Sequence, residues 1–198
     1  MQKKIKTSVI IAIILAISIA FAFLSELGIS MLETKVLHPR KYEEIITKHA
    51  TEYNIPEYII YAIINVESGF DPEASSGEAD GLMQIAPTTF KWIGSEEHLG
   101  ENLPASKVYD PETNIKYGCY YLRYLFLRFQ KWDTVFAAYN AGETRVAEEW
   151  LVNPEYSDGK GNLTYIPYKE TRNYVKKVNS EIEYYKNTYY KNDMGVQL

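Results

Sequence analysis

The stretch most able to do chemistry runs from Ile63 to Thr88, IINVESGFDPEASSGEADGLMQIAPT. In it one carboxyl, Glu67, closes an apolar segment, Tyr58 to Val66. Burial disfavours the charged form of a carboxyl and raises its pKa. A carboxylic acid still protonated near neutral pH can donate a proton to a leaving group. Glu67 is therefore a candidate general acid; the competing reading is a carboxylate at a solvated helix end. A loop of small and polar residues follows, leading into the compact group Gly81-Leu82-Met83-Gln84.

Helices must position these groups. From Arg40, the residues Tyr42, Ile45, Ile46, His49, Ala50 and Tyr53 recur every three or four positions, the spacing of one helical face. His49 on that face reads as a core or rim residue rather than a ligand. Pro56 suits the first turn of a second helix. That helix carries Ile59, Ile60, Ala62, Ile63, Ile64 and Val66, is apolar nearly all round, and so reads as the buried centre. Gly69 is its expected left-handed cap. Residues 70–81 read as a loop, punctuated by Asp71-Pro72 and glycines, and a short helix is predicted from Pro87 to about Gly94. Asp110-Pro111 opens a long helix, with Asp as cap and Pro in the first turn. It runs to about Gln130 with Ile115, Cys119, Leu122, Leu125, Phe126 and Phe129 inward. Further helices are predicted over about Asp133–Tyr139, Glu143–Trp150 and Pro167–Asn187, with a small hairpin around Gly159–Gly161. The fold class is all-α, with minor β structure.

Composition narrows the partners. The formal charge is −5, but Lys3, Lys4 and Lys6 all precede the apolar N-terminal run, so the remainder is more acidic still. An acidic domain is poorly suited to nucleic acid, whose affinity rests on neutralising phosphates. There are 18 tyrosines, and a flat apolar ring with a hydrogen-bonding tip suits sugar or peptide contact as well as ordinary packing. The lone Cys119 has no intrachain partner, and the three histidines, His38, His49 and His98, are scattered. No metal site and no cofactor are indicated.

Residues 1–6 are basic and 7–24 carry no charge, which is long enough for one transmembrane helix. The cationic flank favours a cytoplasmic N-terminus. A cleaved signal peptide with Ala20 and Ala22 at its site is the alternative. An uncleaved anchor is preferred, because Phe23 and Leu24 prolong the apolar run past that site. The expected organisation is an anchor at 7–24, a connector at 25–39, a catalytic domain at 40–190 outside the cytoplasm, and a polar tail at 191–198.

Four segments now fall into one pattern. Glu67-Ser68, Gly81-Leu82-Met83-Gln84, Ala138-Tyr139-Asn140-Ala141-Gly142 and Ile166-Pro167-Tyr168-Lys169-Glu170-Thr171-Arg172-Asn173-Tyr174-Val175 resemble, in order, the motifs of the soluble-type lytic transglycosylases. The resemblance spans roughly residues 40–190. It implies a lysozyme-like α fold with a cleft for the glycan strands of peptidoglycan. It also implies cleavage of the β-1,4 bond from N-acetylmuramic acid to N-acetylglucosamine, leaving 1,6-anhydro ends. Glu67 would be the single catalytic acid/base. Met83 would pack on the sugar near the scissile bond, and Gln84 would hydrogen-bond it. Tyr139 would hydrogen-bond Glu67, Asn140 would bind an acetamido group, and Tyr174 would line the cleft. Ser76, nine positions after Glu67, would touch the substrate, with Ser75 as its alternative.

Ordinary glycosidases need two carboxyls, whereas Glu67 is the one carboxyl in the first three of these motifs. One suffices if the sugar's own C6 hydroxyl is the nucleophile, because an internal group gains from proximity over bulk water. A lysozyme-type hydrolase, with a second carboxylate from among Asp71, Glu73, Glu78 and Asp80, is the alternative enzyme. A wall-binding scaffold without turnover is the alternative outside enzymes.

Overall fold

The computed structural model describes residues 14–25 and 36–191. Its chain divides into two units, Met1–Arg40 and Lys41–Leu198. The basic N-terminus, residues 7–13 of the expected membrane span, 26–35 of the connector and 192–198 of the tail lie outside the described residues.

In the first unit, residues 14–25 are helical, and Ile14, Leu15, Ile17, Ile19, Phe21, Phe23 and Leu24 are all exposed. At 1.5 Å per residue this described portion is roughly 18 Å long, against roughly 30 Å of bilayer hydrocarbon. No helix among the described residues is long and apolar enough to cross a membrane.

The second unit is built of helices, in the order α1 (Glu43–Tyr53), α2 (Glu57–Ser68), α3 (Pro87–Gly94), a 3-10 turn (Ala105–Tyr109), α4 (Pro111–Phe129), α5 (Trp132–Ala141), a short turn (Glu143–Arg145) running into a π-helical turn (Val146–Trp150), and α6 (Lys169–Tyr189). Strand pairing among the described residues amounts to isolated bridges, Ser75 with Asp80, Asp80 with Ile85, and Ser157 with Leu163. The expected minor β structure is therefore a knot of turns after α2 and a small hairpin after the π turn.

The central helix is the one its composition predicts. Ile59, Ile60, Tyr61, Ala62, Ile63 and Ile64 of α2 are buried without interruption. Each isoleucine so buried contributes about 1.5–3 kcal/mol, and α2 closes on Gly69 in the left-handed conformation, φ 59°. Its main partner is α6, with Tyr61 stacked on Tyr185 at 5.4 Å. Helix α5 also packs on α6 and on α4, and α1 on α4. Asp110 caps α4 as expected, accepting from the Thr113 N–H at 3.0 Å and its hydroxyl at 2.7 Å, and those bonds lower its carboxyl pKa.

Three boundaries depart from expectation. Helix α1 begins at Glu43 rather than Arg40, because Tyr42 sits in the left-handed region at φ 60°. Helix α6 begins at Lys169 rather than Pro167. The carbonyls of Ile166 and Pro167 accept from Arg172 Nη1, and Tyr168 is extended at ψ 124°. The helix expected over Glu143–Trp150 widens to i+5 bonding, Leu151 N–H to Val146 O at 2.9 Å. His49 is buried, as its apolar face implied, with both ring nitrogens 2.9 Å from carboxylates, Glu52 and Glu112. Cys119 is a free, fully buried thiol.

Candidate active site

Glu67 occupies the last turn of α2, where the apolar helix meets a cleft of about 550 Å³. The same cleft is lined by Ser76, Glu78, Ala79, Gln84, Ile85, Thr89, Tyr121, Tyr139, Asn140, Gly142 and Glu170, among others. The structure thus gathers five of the expected residues, Glu67, Ser76, Gln84, Tyr139 and Asn140, from segments far apart in the chain. Ser76 rather than Ser75 reaches the cleft. Its hydroxyl also ties the loop, bonding Ala79 O at 3.2 Å and accepting from Ala79 N at 3.1 Å.

Burial raises the Glu67 carboxyl from the ordinary 4.5 to about 7. Tyr174 opposes the shift, donating its hydroxyl to Glu67 Oε1 at 2.7 Å and so favouring the charged form. The arrangement is a carboxyl balanced near neutrality, able to give up a proton and to take one back. Both neighbouring phenols, Tyr174 and Tyr139, are pushed well above their ordinary pKa by burial and by the Glu67 charge, so they remain O–H donors. Activity that needs protonated Glu67 is present below its pKa and lost as pH rises through about 7. Tyr174→Phe removes the bond that holds the value down. The alkaline limb of the rate profile in that variant is expected to move up by about one pH unit. A pH profile of kcat/KM checks this, and an unmoved limb would sink the pairing.

Two expected roles are corrected. Tyr139 was expected to hydrogen-bond Glu67, but its hydroxyl donates to Met83 O at 2.7 Å. The phenol that holds Glu67 belongs to Tyr174, because α6 packs directly along α2. Met83 was expected to lie against a sugar, but its side chain is fully buried. It packs on Gly118 of α4 so closely that a Cβ there would overlap the Met83 sulfur. Met83 serves the site through its backbone instead, between the Tyr139 hydroxyl and Asn114.

The 81–84 turn is held from below. Asn114, fully buried on α4, accepts from Met83 N at 2.8 Å and donates to Val108 O at 2.7 Å and Asp80 O at 3.2 Å. Ser68, beside Glu67, donates to Leu82 O at 2.8 Å, which fastens the end of α2 to the same turn. Gln84 adopts φ 46°, and its Nε2 donates to Ala74 O and Gly81 O, at 3.1 and 3.0 Å. The carboxamide oxygen is then the group Gln84 offers to a ligand. Gly81, at φ 77°, has no room for a Cβ, which would overlap Asn114 and Val108 O.

Several lining residues escaped sequence reasoning. Tyr121 reads as one of many packing tyrosines, yet its ring lies 5.6 Å from that of Tyr139 on the cleft wall. Glu170 reads as a solvated-face residue. The available signal was its place four residues before Tyr174, on the same face of α6. Glu78 and Glu170 are both exposed. Asp80, an alternative second carboxylate, is instead occupied by the Tyr109 hydroxyl at 2.9 Å.

Comparison with known proteins agrees with this geometry. The family model described as the transglycosylase SLT domain matches residues 44–160. The soluble lytic murein transglycosylase of Escherichia coli strain K12 is 35% identical over 152 residues, covering 75% of this chain and 23% of that protein. The membrane-bound lytic murein transglycosylase C of Haemophilus ducreyi is 30% identical over 169 residues, covering 75% of this chain and 46% of that one. Among solved structures, an inactive mutant of the lytic transglycosylase Slt from Pseudomonas aeruginosa superposes with a TM-score of 0.67 at 28% identity, over 87% of this chain and 29% of that one. The 70 kDa soluble lytic transglycosylase of Escherichia coli gives 0.67 at 33% identity, over 76% and 25%. The chain therefore spans only about a quarter of the soluble relative and under half of the membrane-bound one. With more than half its length under the family model and the motif residues gathered in one cleft, the chain belongs to the transglycosylase SLT domain family.

Proposed function

We propose that the chain is a membrane-tethered peptidoglycan lytic transglycosylase, cleaving the N-acetylmuramic acid to N-acetylglucosamine bond and leaving 1,6-anhydro ends. The observation that carries this reading is Glu67, a carboxyl raised to about 7 in a cleft of about 550 Å³ and gripped by one phenol. Protonated Glu67 donates to the glycosidic oxygen as the bond breaks, and the substrate's N-acetyl oxygen stabilises the cationic C1. Glu67, now a carboxylate, takes the proton of the C6 hydroxyl as that oxygen attacks C1. The proton count closes, and the acid is regenerated without water. Gln84, Ser76 and Asn140 bind the strand, and Tyr174 positions the acid. Tyr139 supports the 81–84 turn that carries Gln84.

The names of the relatives support the reaction class. The tether rests on the uncharged run at 7–24 and on the exposed apolar side chains of residues 14–25, a surface that water does not favour. It would confine the domain to wall strands near the membrane, which suits local remodelling.

One observation favours hydrolysis as a second reading, namely that two more carboxyls, Glu78 and Glu170, line the cleft. Both are exposed, unlike Glu67. Mass analysis of purified wall digested by the full chain separates the readings. Products lighter by one water, with anhydro ends, are expected from enzyme recovered in the membrane fraction. Reducing ends alone would establish the hydrolase, and recovery in the soluble fraction would remove the tether.

A further inference from the structure

One wall of the cleft continues past the residues that line it. Thr89 on α3, Tyr121 on α4 and Gly142 after α5 all line the cleft. Each is followed by a residue that carries the wall outward. Trp92 stands one helical turn beyond Thr89, and Tyr124 one turn beyond Tyr121, so each pair shares a helix face. Glu143 follows Gly142 directly. These three meet. The Trp92 ring lies edge-on to Tyr124 at 4.8 Å and to Tyr121 at 6.0 Å, and Tyr124 lies nearly parallel to Tyr121 at 6.3 Å. The Tyr124 hydroxyl donates to Glu143 Oε1 at 2.9 Å.

The rings are fixed but not hidden. Trp92, Tyr121 and Tyr124 each keep part of their surface in water. Trp92 is backed by the His98 ring at 3.8 Å, and His98 Nδ1 is itself 2.8 Å from the Tyr120 hydroxyl. Glu143, which holds the tip of Tyr124, is also paired with Arg128, so neither charge is spare. The Trp92 indole N–H has no hydrogen-bond partner among the described residues. The platform therefore offers flat ring surface with one unused neutral donor beside it. A pyranose presents the complement, an apolar face of C–H groups rimmed by hydroxyls, whereas an anion would meet no unpaired cation in this network.

The occupant follows from continuity, because a strand lying in the cleft at Tyr121 reaches Trp92 and Tyr124 next. Resting on the transglycosylase reading, we propose that Trp92 and Tyr124 form a distal sugar site that holds the same strand beyond the sugars at Glu67 and makes the enzyme prefer long strands.

The test uses the full chain and glycan strands freed of their peptides, graded in length from tetrasaccharide upward. Wild type is expected to show kcat/KM rising with length by about ten-fold. Trp92→Ala is expected to lose that rise, chiefly through KM, while changing turnover of the tetrasaccharide by less than about two-fold. Trp92→Phe, which keeps a ring without the N–H, is expected to restore part of it. Equal losses at every length would mean that Trp92 only packs α3 on α4, and would overturn the proposal. A rise seen with peptide-bearing strands alone would overturn the sugar as occupant. Should the alanine variant not fold, two measurements decide without it. A flat length series in wild type overturns the proposal. Tryptophan emission of the Glu67→Gln chain is expected to shift on adding long strands, and to stop doing so once Trp92→Phe is added; a shift that persists unaltered overturns it. Absence of anhydro ends at every length removes the transglycosylase reading, whereas anhydro ends formed at a rate independent of length remove only the distal site.

Discussion

Glu67→Gln is expected to reduce strand cleavage by about 10³-fold or more, since the side chain serves as acid and then as base and glutamine can do neither. Glutamine keeps the size of the side chain and an oxygen for the Tyr174 hydroxyl, now 2.7 Å from Glu67 Oε1. Binding of strands should persist. Stability should change as well, and its direction identifies the cause. Glu67 has a folded pKa of about 7, above its ordinary 4.5. The stability this group contributes is fully present below about 4.5 and is lost as pH rises through about 7. Above neutrality the wild type therefore holds a buried carboxylate at a cost on the order of 2 kcal/mol, discounted because the side chain faces the cleft. Glutamine has no such ionisation. The variant is expected to be more stable than wild type at pH 8, with the gap closing towards pH 4.5. Thermal unfolding at the two pH values checks this beside the activity assay. Full activity in Glu67→Gln would end the proposed mechanism, and a variant less stable at pH 8 would end the account of its pKa.

Asn114→Ala is expected to cost about 3–5 kcal/mol and most of the activity, although Asn114 is not among the residues lining the cleft. It is fully buried and bonds Met83 N, Val108 O and Asp80 O at once. Truncation leaves the Met83 N–H and the Val108 carbonyl without a partner, each worth about 1–3 kcal/mol before any water enters, while Asp80 O keeps its bond from Ile85 N at 2.9 Å. The turn they hold carries Gln84 and supplies the carbonyl that Tyr139 grips. Asn114→Asp keeps the acceptor for Met83 N but aims a second acceptor at two carbonyls, so it should be no better at neutral pH. Urea unfolding measures the loss. A change below about 1 kcal/mol in Asn114→Ala would show that the turn stands without it. Gly81→Ala attacks the same packing from the other side, where a Cβ would overlap Asn114 and Val108 O.

Much of the architecture was legible because its causes are local. The uninterrupted apolar run of α2, the Asp110-Pro111 start of α4 and the Gly69 stop each act within one or two turns of helix. The boundaries that slipped did so through contacts between distant groups or through backbone choices that residue type does not dictate. Arg172 diverts the carbonyls at the start of α6, and Tyr42 takes a left-handed conformation that tyrosine seldom adopts. Candidate site residues were legible as types, with five of seven lining the cleft. Met83 illustrates the limit. A methionine beside a key glutamine suits a ligand or a core equally well, and the choice was made by Gly118, whose missing side chain opens space on α4 for the Met83 sulfur.

By itself, then, the sequence determined an all-α domain, the acidic balance that excludes phosphate-seeking surfaces, and Glu67 as a carboxyl at the end of a buried helix. Only the tertiary structure decided how far burial raises that carboxyl, which phenol holds it, and which asparagine supports the turn opposite. The reason is one of range. Helical periodicity and capping reach about four residues along the chain, whereas Tyr174 meets Glu67 across 107 residues and Asn114 meets Met83 across 31. A hydroxyl or carboxamide can satisfy many partners, and the crossing of α6 on α2 and the seat of the turn on α4 select one.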